Sequence, residues 1–583
     1  MQTVFAGTDI ATNACLPPNQ RGLASSGRDF PREVLAASLF EAGIAHSDIN
    51  LGTVNPIMNV LLINPWYPIS ETPSPPLGLA YLAASLERAG HRVNILDYVV
   101  YPYSIDGLKR QIERFSPDWV GVTAVTMNVN KALQIVRDVK SIDPHIGTVM
   151  GGPHVTFAAE DTLAACPGLD VAAIGEGEHT LIRLVESPAQ RDAWLQIPGI
   201  VYRDGERFIR TAPKAGFLDV KLLPDPARHL LALARYRILH MPITLTTSRG
   251  CPFQCIFCVG RKMVGAKVRY REPEKVADEI ESIAGLGFHQ INIADDLFTA
   301  NEKHCLAICD EIRRRGLQVP WTSFARVDTV SLKVLENMKA AGCTAVSFGM
   351  ESANAAILKT CRKGITRQQI LDAVQMCAQA GIQAHGSFIL GLPGESAETI
   401  SETLAFGERL KEMGVSFGFH LLAPFPGTRV REEREAYGIR ILSDNWDDYH
   451  ANRAIVETNQ ADRQMMNAIV ERWEDAFNAE LGRISERMRS GAATPEESGL
   501  VTNLERTVWI YEMMMAEALE TIGALPAEPP DAAIRTLAGK AISFVKHATP
   551  DRLVFALQTA RDRGDLVDVS TGNEMHWRWR EKL

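Results

Sequence analysis

The stretch Ile243-Thr-Leu-Thr-Thr-Ser-Arg-Gly-Cys-Pro-Phe-Gln-Cys-Ile-Phe-Cys258 organises the chain. Its apolar, β-branched start predicts a strand. The strand ends at Arg249-Gly250 and releases Cys251, Cys255 and Cys258 in a CxxxCxxC spacing. Thiolates are soft ligands suited to iron–sulfur clusters or zinc. Three on one loop are one fewer than a closed Cys₄ site needs, and no fourth Cys or His follows at zinc-finger spacing. In a four-iron cluster, that leaves one iron open to a ligand that is not protein. A zinc knuckle, or cysteines together by chance, is the plainer alternative.

Downstream, strand and helix alternate. Strands are predicted at 243–248, 290–294, 321–325, 344–350, 384–390 and 416–422, with helices near 273–286, 302–315, 331–341, 366–380 and 397–413. Six βα units with polar loops after the strands read as a partial (β/α) barrel over 243–430. Those loops carry Asp295-Asp296 after the second strand, Arg326 after the third and Glu351 after the fourth; the fifth strand runs Gly386-Ser-Phe-Ile-Leu-Gly-Leu-Pro-Gly-Glu395. Paired carboxylates can hold an amine or a metal. No neighbouring histidine suggests a metal, and an N-cap role is the plain alternative.

Upstream, over 58–190, five short apolar runs alternate with helices, which predicts a doubly wound parallel sheet with ligands beyond the carboxyl ends of its strands. Four loops share that rim: Pro65-Trp66-Tyr67, Thr123-Ala-Val-Thr126, Gly151-Gly-Pro-His154 and Gly175-Glu-Gly-Glu178. Glycines there let backbone approach a large flat ligand. Ordinary turn chemistry explains each loop singly, but all four at corresponding positions are harder to set aside.

The cysteine spacing after a strand, with an aromatic before the last cysteine, resembles the radical S-adenosylmethionine (SAM) enzymes. In this order, the upstream loops resemble the cobalamin-binding domain found ahead of many such barrels. The resemblance covers about 59–430 and implies a 4Fe-4S cluster on Cys251, Cys255 and Cys258. It also implies SAM held by Asp295 or Asp296 at the ammonium, Arg326 at the carboxylate, Glu351 at the ribose, and Ser387 and Gly391 along the adenine. Thr123, Val125, Gly151 and Gly152 match the loops beside the cobalamin nucleotide tail, with Gly175, Glu176 and Gly177 on the same rim. The usual Asp-x-His-x-x-Gly is missing, so the resemblance implies cobalamin without a lower histidine ligand. Trp66, Tyr67 or the Thr126–Asn128 turn is then expected beneath the corrin, and His154 nearby. The activity implied is methyl transfer to an unactivated carbon of a small molecule. A 5′-deoxyadenosyl radical and methylcobalamin carry it, and no side chain is assigned as catalytic. Cyclisation, oxidation or ring rearrangement without methyl transfer is the alternative within the family. A vestigial cobalamin domain, or a cobalamin sensor or carrier with a structural cluster, lies beyond it.

The chain has 583 residues, so several domains are expected. Net charge is −9 with no long Lys/Arg run, which speaks against nucleic acid as a partner. No apolar stretch is long enough to span a bilayer and no secretory layout opens the chain. Of ten cysteines, three cluster on one loop and the rest scatter, as expected of metal in a reducing, cytoplasmic setting with a flavodoxin- or ferredoxin-type electron donor. Residues 1–57 read as an extension with one helical pattern near 31–45, and 191–242 as a linker with a hairpin about Asp204-Gly205. Residues 431–583 read as an all-helical domain, with helices near 460–489, 496–522, 531–547 and 550–562, capping the substrate. Met513-Met514-Met515 with Trp509 and Tyr511 can line a pocket, although helix core is the plainer reading.

Overall fold

The computed structural model describes residues 56–68, 72–187, 191–450, 452–571, 573–581 and 583. The helical pattern expected near 31–45 lies outside them. The first sheet starts from Asn59–Asn64 (β1), whose Val60, Leu61, Leu62 and Ile63 are all buried. Such a run is what a strand covered by helices on both faces requires. Arg92–Asp97 (β2), Trp119–Thr123 (β3), Gly147–Gly151 (β4) and Val171–Ala173 (β5) join it in parallel in the order β2-β1-β3-β4-β5. The expected doubly wound sheet is present, with its four loops on one rim.

The hairpin expected inside a linker is part of that sheet. Ile200–Asp204 (β6) pairs antiparallel with β5, and Arg207–Arg210 (β7) pairs with β6. The backbone of β5 leaves an open edge, and the antiparallel pairing of β6, whose Ile200, Val201 and Tyr202 are all buried, closes it. The next segment is also tied in. Tyr236 Oη donates to Asp97 Oδ2 at 2.7 Å and Arg235 Nη1 to Val100 O at 2.9 Å. The span 191–242 is therefore only in part a connector.

The second sheet holds six parallel strands. They are Ile243–Leu245 (β8), Ile291–Ile293 (β11), Trp321–Ala325 (β12), Cys343–Glu351 (β13), Gln383–Leu390 (β14) and Ser416–Leu421 (β15), in sequence order across the sheet. It is the partial barrel the alternation predicts, open between β15 and β8. A two-residue antiparallel ribbon, Ser248–Arg249 (β9) with Arg269–Tyr270 (β10), clamps the base of the cysteine loop.

Beyond the barrel, a short ribbon of Arg440–Ile441 (β16) and Val456–Glu457 (β17) precedes the long helix Arg463–Ser490. Trp473 of that helix packs within 6.3 and 6.4 Å of the Phe417 and Phe419 rings of β15 and so covers the barrel's open edge. The C-terminal region is helical, as expected, but not purely so. Ala524–Pro526 (β18), Leu566–Thr571 (β19) and Glu574–Trp579 (β20) form an antiparallel sheet. Met575, Trp577 and Trp579 alternate inward on β20, the period of two of a strand with one buried face.

Beyond the long helix, this region packs away from the mouth rather than over it as a lid. Thr507 Oγ1 donates to Leu239 O at 3.0 Å, and Arg237 pairs with Asp565. Both partners precede β8, at the end of the barrel opposite the cysteine loop. Met513 and Met514 are buried in the main core, and Trp509 Nε1 donates to Lys546 O, so these residues are packing. One contiguous apolar core runs from one face of the first sheet through the barrel to β19 and β20. Among the described residues, no helix is long and apolar enough to cross a membrane.

Candidate active site

The cysteine loop leaves the carboxyl end of β8 and is held by its own backbone. Cys251 N donates to Gly265 O, Cys258 N to Cys255 O, and Ile256 N to Cys361 O on a neighbouring turn. Among the described residues, no three His, Cys, Asp or Glu side chains converge tightly enough for a single metal ion. Three thiols on one loop leave one corner of a four-iron cluster without a protein ligand. Burial pushes all three thiols up, Cys258 to about 11. Ligation therefore has to displace protons.

The two adjacent aspartates separate cleanly. Asp295 is buried and accepts from Thr247 N, Thr247 Oγ1 and Ser248 Oγ, each at 2.6 Å. Both its oxygens are spent on Thr247 and Ser248, between β8 and the start of β9, so the expectation of a ligand contact there fails. Asp296 is exposed to the mouth and takes one long bond from Gly250 N at 3.3 Å. Desolvation raises its carboxyl.

Arg326 is buried with its guanidinium 3.5 Å over the Phe253 ring of the cysteine loop. Its Nε and Nη2 bond Asp328, and Nη2 also reaches Lys363 O; Nη1 is buried with no partner. An orphaned guanidinium nitrogen at a strand end suits an absent carboxylate. Glu351 ends β13 with φ +64 and pairs with Lys363 Nζ at 2.6 Å. Ser387 lies in register between Gly349, over which the Glu351–Lys363 pair folds, and Gly418, where a built Cβ would have nothing within 4 Å. Gly391 N donates to Glu395 Oε2 at 2.7 Å, and a Cβ added there would meet Met466 Sδ at 3.0 Å and Val456 Cγ2 at 3.2 Å.

Between the sheet rim and the barrel lies a cavity of about 680 Å³. Of the residues expected at the cobalamin, Tyr67, Thr123, Val125, Gly151, Gly152, Gly175, Glu176 and Gly177 line it. Nothing stands closer than 3.9 Å to a Cβ built on Gly151 or Gly175, so side chains there would fill the cradle. Gly152 has φ +102, and a Cβ would stand 2.6 Å from Ala124 O. Only glycine fits.

Three expected residues are elsewhere. Trp66 stacks on Tyr103 at 4.6 Å and packs into the second core of the first domain. Thr126 is buried and bonds His154 Nδ1 at 3.2 Å. His154 packs edge-on against Trp446 at 4.9 Å, and burial lowers it to about 4. None of the three lines the cavity. Met127 and Asn128 of the expected Thr126–Asn128 turn do line it.

The same cavity is lined from the barrel side by Thr246, Ser248, Arg249, Met263, Val264, Ala294 and Asp296. Arg249 bonds Glu176 and Glu178, and Arg269 bonds Glu176. These arginines, and Lys363, were not anticipated. No sequence signal places an arginine just before a metal loop opposite acids seventy residues away.

Comparison with known proteins agrees with this geometry. A B12 binding domain family matches residues 70–185 and the Radical SAM superfamily matches residues 245–407. An uncharacterized methyltransferase of Pyrococcus horikoshii is 36% identical over 401 residues, 67% of this chain and 86% of that protein. An anaerobic magnesium-protoporphyrin IX monomethyl ester cyclase of Cereibacter sphaeroides is 31% identical over 345 residues, where the match spans 55% of the cyclase. In fold, the chain is similar to the radical SAM methyltransferase TsrM of Kitasatospora setae, solved with cobalamin and a 4Fe-4S cluster. The TM-score is 0.57 at 21% identity, over 68% of this chain and 85% of that one. It is also similar to the cobalamin-dependent SAM radical enzyme OxsB, solved with aqua-cobalamin and SAM, at a TM-score of 0.61, 18% identity, 88% and 82%.

Proposed function

The chain belongs to the cobalamin-dependent radical SAM enzymes, which work with a 4Fe-4S cluster, SAM and cobalamin, and we propose that it is a methyltransferase acting on an unactivated carbon of a small-molecule substrate. The observation that carries this reading is the shared cavity. Loops of the first sheet and residues beside the cysteine loop line one space, so a ligand held on the rim faces a ligand held at the barrel mouth.

In this reading Cys251, Cys255 and Cys258 hold the cluster. Asp296 takes the SAM ammonium, Arg326 its carboxylate through the free Nη1, and Glu351 the ribose, with Ser387 and the Gly391 backbone along the adenine. The rim residues Tyr67, Thr123, Val125, Gly151, Gly152, Gly175, Glu176 and Gly177 cradle cobalamin. When bound, cluster and SAM supply one-electron chemistry strong enough for a C–H bond, and cobalamin supplies the methyl group; the protein orients them and excludes water. A flavodoxin- or ferredoxin-type donor in the cytoplasm supplies the electron.

The cyclase relatives support a second reading, ring closure without methyl transfer. Anaerobically reconstituted protein incubated with SAM, reductant and candidate substrates separates the two. S-adenosylhomocysteine together with 5′-deoxyadenosine supports methyl transfer, whereas deoxyadenosine alone supports the cyclase. A Cys251/Cys255/Cys258→Ala triple variant that keeps its iron–sulfur absorbance would sink both.

A further inference from the structure

We propose that Lys363 is a positioning residue of the barrel mouth, whose ammonium holds Glu351 in its left-handed backbone conformation and sets the positive field around the cluster. This rests on the reading of the three cysteines as cluster ligands.

Lys363 and Glu351 are both buried, with 7% of each side chain exposed, and their charged atoms lie 2.6 Å apart. A buried ion pair of this kind is no better for stability than a well-packed apolar pair, so its presence asks for another explanation. Glu351 stands at φ +64, a conformation that costs a non-glycine residue about 1 kcal/mol or more. The register of β13 with β14 shifts between Gly349 and Glu351, and the pair folds back over Gly349. A Cβ on Gly349 would overlap Glu351 Oε1 and stand 2.8 Å from Lys363 Nζ. The strand has been left bare at the one position the pair occupies.

Lys363 is fixed from three directions. Its N–H donates to Leu358 O, and its carbonyl accepts from Arg326 Nη2 at 2.7 Å. The turn that carries it accepts, at Cys361 O, from Ile256 of the cysteine loop at 3.1 Å. One residue therefore touches the ribose acid by its side chain and the carboxylate-binding arginine by its backbone, beside the cluster loop. A cluster on three thiolates is anionic and gains a further negative charge when an external donor adds an electron. A fixed cation beside it favours the reduced form, and a fixed anion disfavours it.

The test uses the full chain, reconstituted anaerobically, with iron and sulfide content measured first. Lys363→Met, Lys363→Arg and Glu351→Gln are then compared with wild type by EPR-monitored redox titration and by the change that SAM induces in the EPR signal. Lys363→Met is expected to carry full iron with its midpoint shifted negative and SAM affinity at least tenfold weaker. Glu351→Gln is expected to shift the midpoint positive, and Lys363→Arg to stay near wild type. Unchanged midpoints, or shifts of the same sign in Lys363→Met and Glu351→Gln, would overturn the proposal. If Lys363→Met does not fold, Glu351→Gln decides alone: a midpoint that fails to rise overturns it. A wild-type protein that assembles no cluster defeats the reading of the cysteines instead.

Discussion

Arg249 Nη1 lies 3.1 Å from Glu176 Oε1, so the second residue ahead of Cys251 is gripped by a rim loop of the first sheet. Arg269, across the ribbon that clamps the cysteine loop, bonds the same carboxylate, and Leu218 N donates to its other oxygen at 2.8 Å. Both arginines and the acid are largely buried. The contact fixes the two halves of the cavity against each other.

Glu176→Gln is expected to lower stability by about 3 kcal/mol, because two buried guanidinium groups lose their shared countercharge. Burial by itself raises the Glu176 carboxyl, but hydrogen bonds from Arg269 and Leu218 N and the two arginine charges outweigh it and hold it below the ordinary 4.5. A depressed acid stabilises the fold above its unfolded value, and that contribution fades as pH falls below about 4.5 through the folded value. Denaturant midpoints from pH 7 to pH 3 should converge for variant and wild type at the acid end.

Glu395 is the opposite case. Burial lifts its carboxyl to about 8 against the bonds from Gly391 N and Leu392 N, and Oε1 has no partner. A raised acid favours the fold while protonated and loses that contribution as pH rises from the unfolded value towards 8, at about 1.4 kcal/mol per pH unit. Glu395→Gln keeps an acceptor for both N–H groups without the charge. Its Tm should exceed that of wild type at pH 8.5 and the gap should close by pH 5.

Gly152→Ala is expected to cost about 2–4 kcal/mol, from a positive φ and a Cβ 2.6 Å from Ala124 O. Cobalamin retained after gel filtration should fall with it. Equal retention and an unchanged unfolding midpoint would show that the rim relaxes freely.

Met513→Ala should cost about 2–5 kcal/mol as a core cavity and leave substrate KM unchanged. A raised KM with little loss of stability would instead return the methionines to a pocket.

The cysteine loop, six barrel strands and four rim loops were legible because each depends on a local pattern: a spacing, an apolar run, a glycine after a strand. What escaped the sequence depends on partners distant in the chain. Asp295 and Asp296 are adjacent acids with identical local signals, and only the strand-end donors Thr247 and Ser248 decide which one is spent. Trp66 is drawn inward by Tyr103, and His154 by Thr126 and Trp446, none of which is a sequence neighbour. The hairpin of β6 and β7 was visible as a hairpin, but not the strand edge it closes. Lys363 follows a helix end that carries no signal towards Glu351.

The continuous core has a practical consequence for rebuilding this enzyme. Because, among the described residues, the same apolar mass passes from one face of the first sheet through the barrel into β19 and β20, excising or grafting a cofactor module there bares hydrophobic surface. Chimeras that exchange specificity between relatives should swap loops at the mouth and leave the three regions joined.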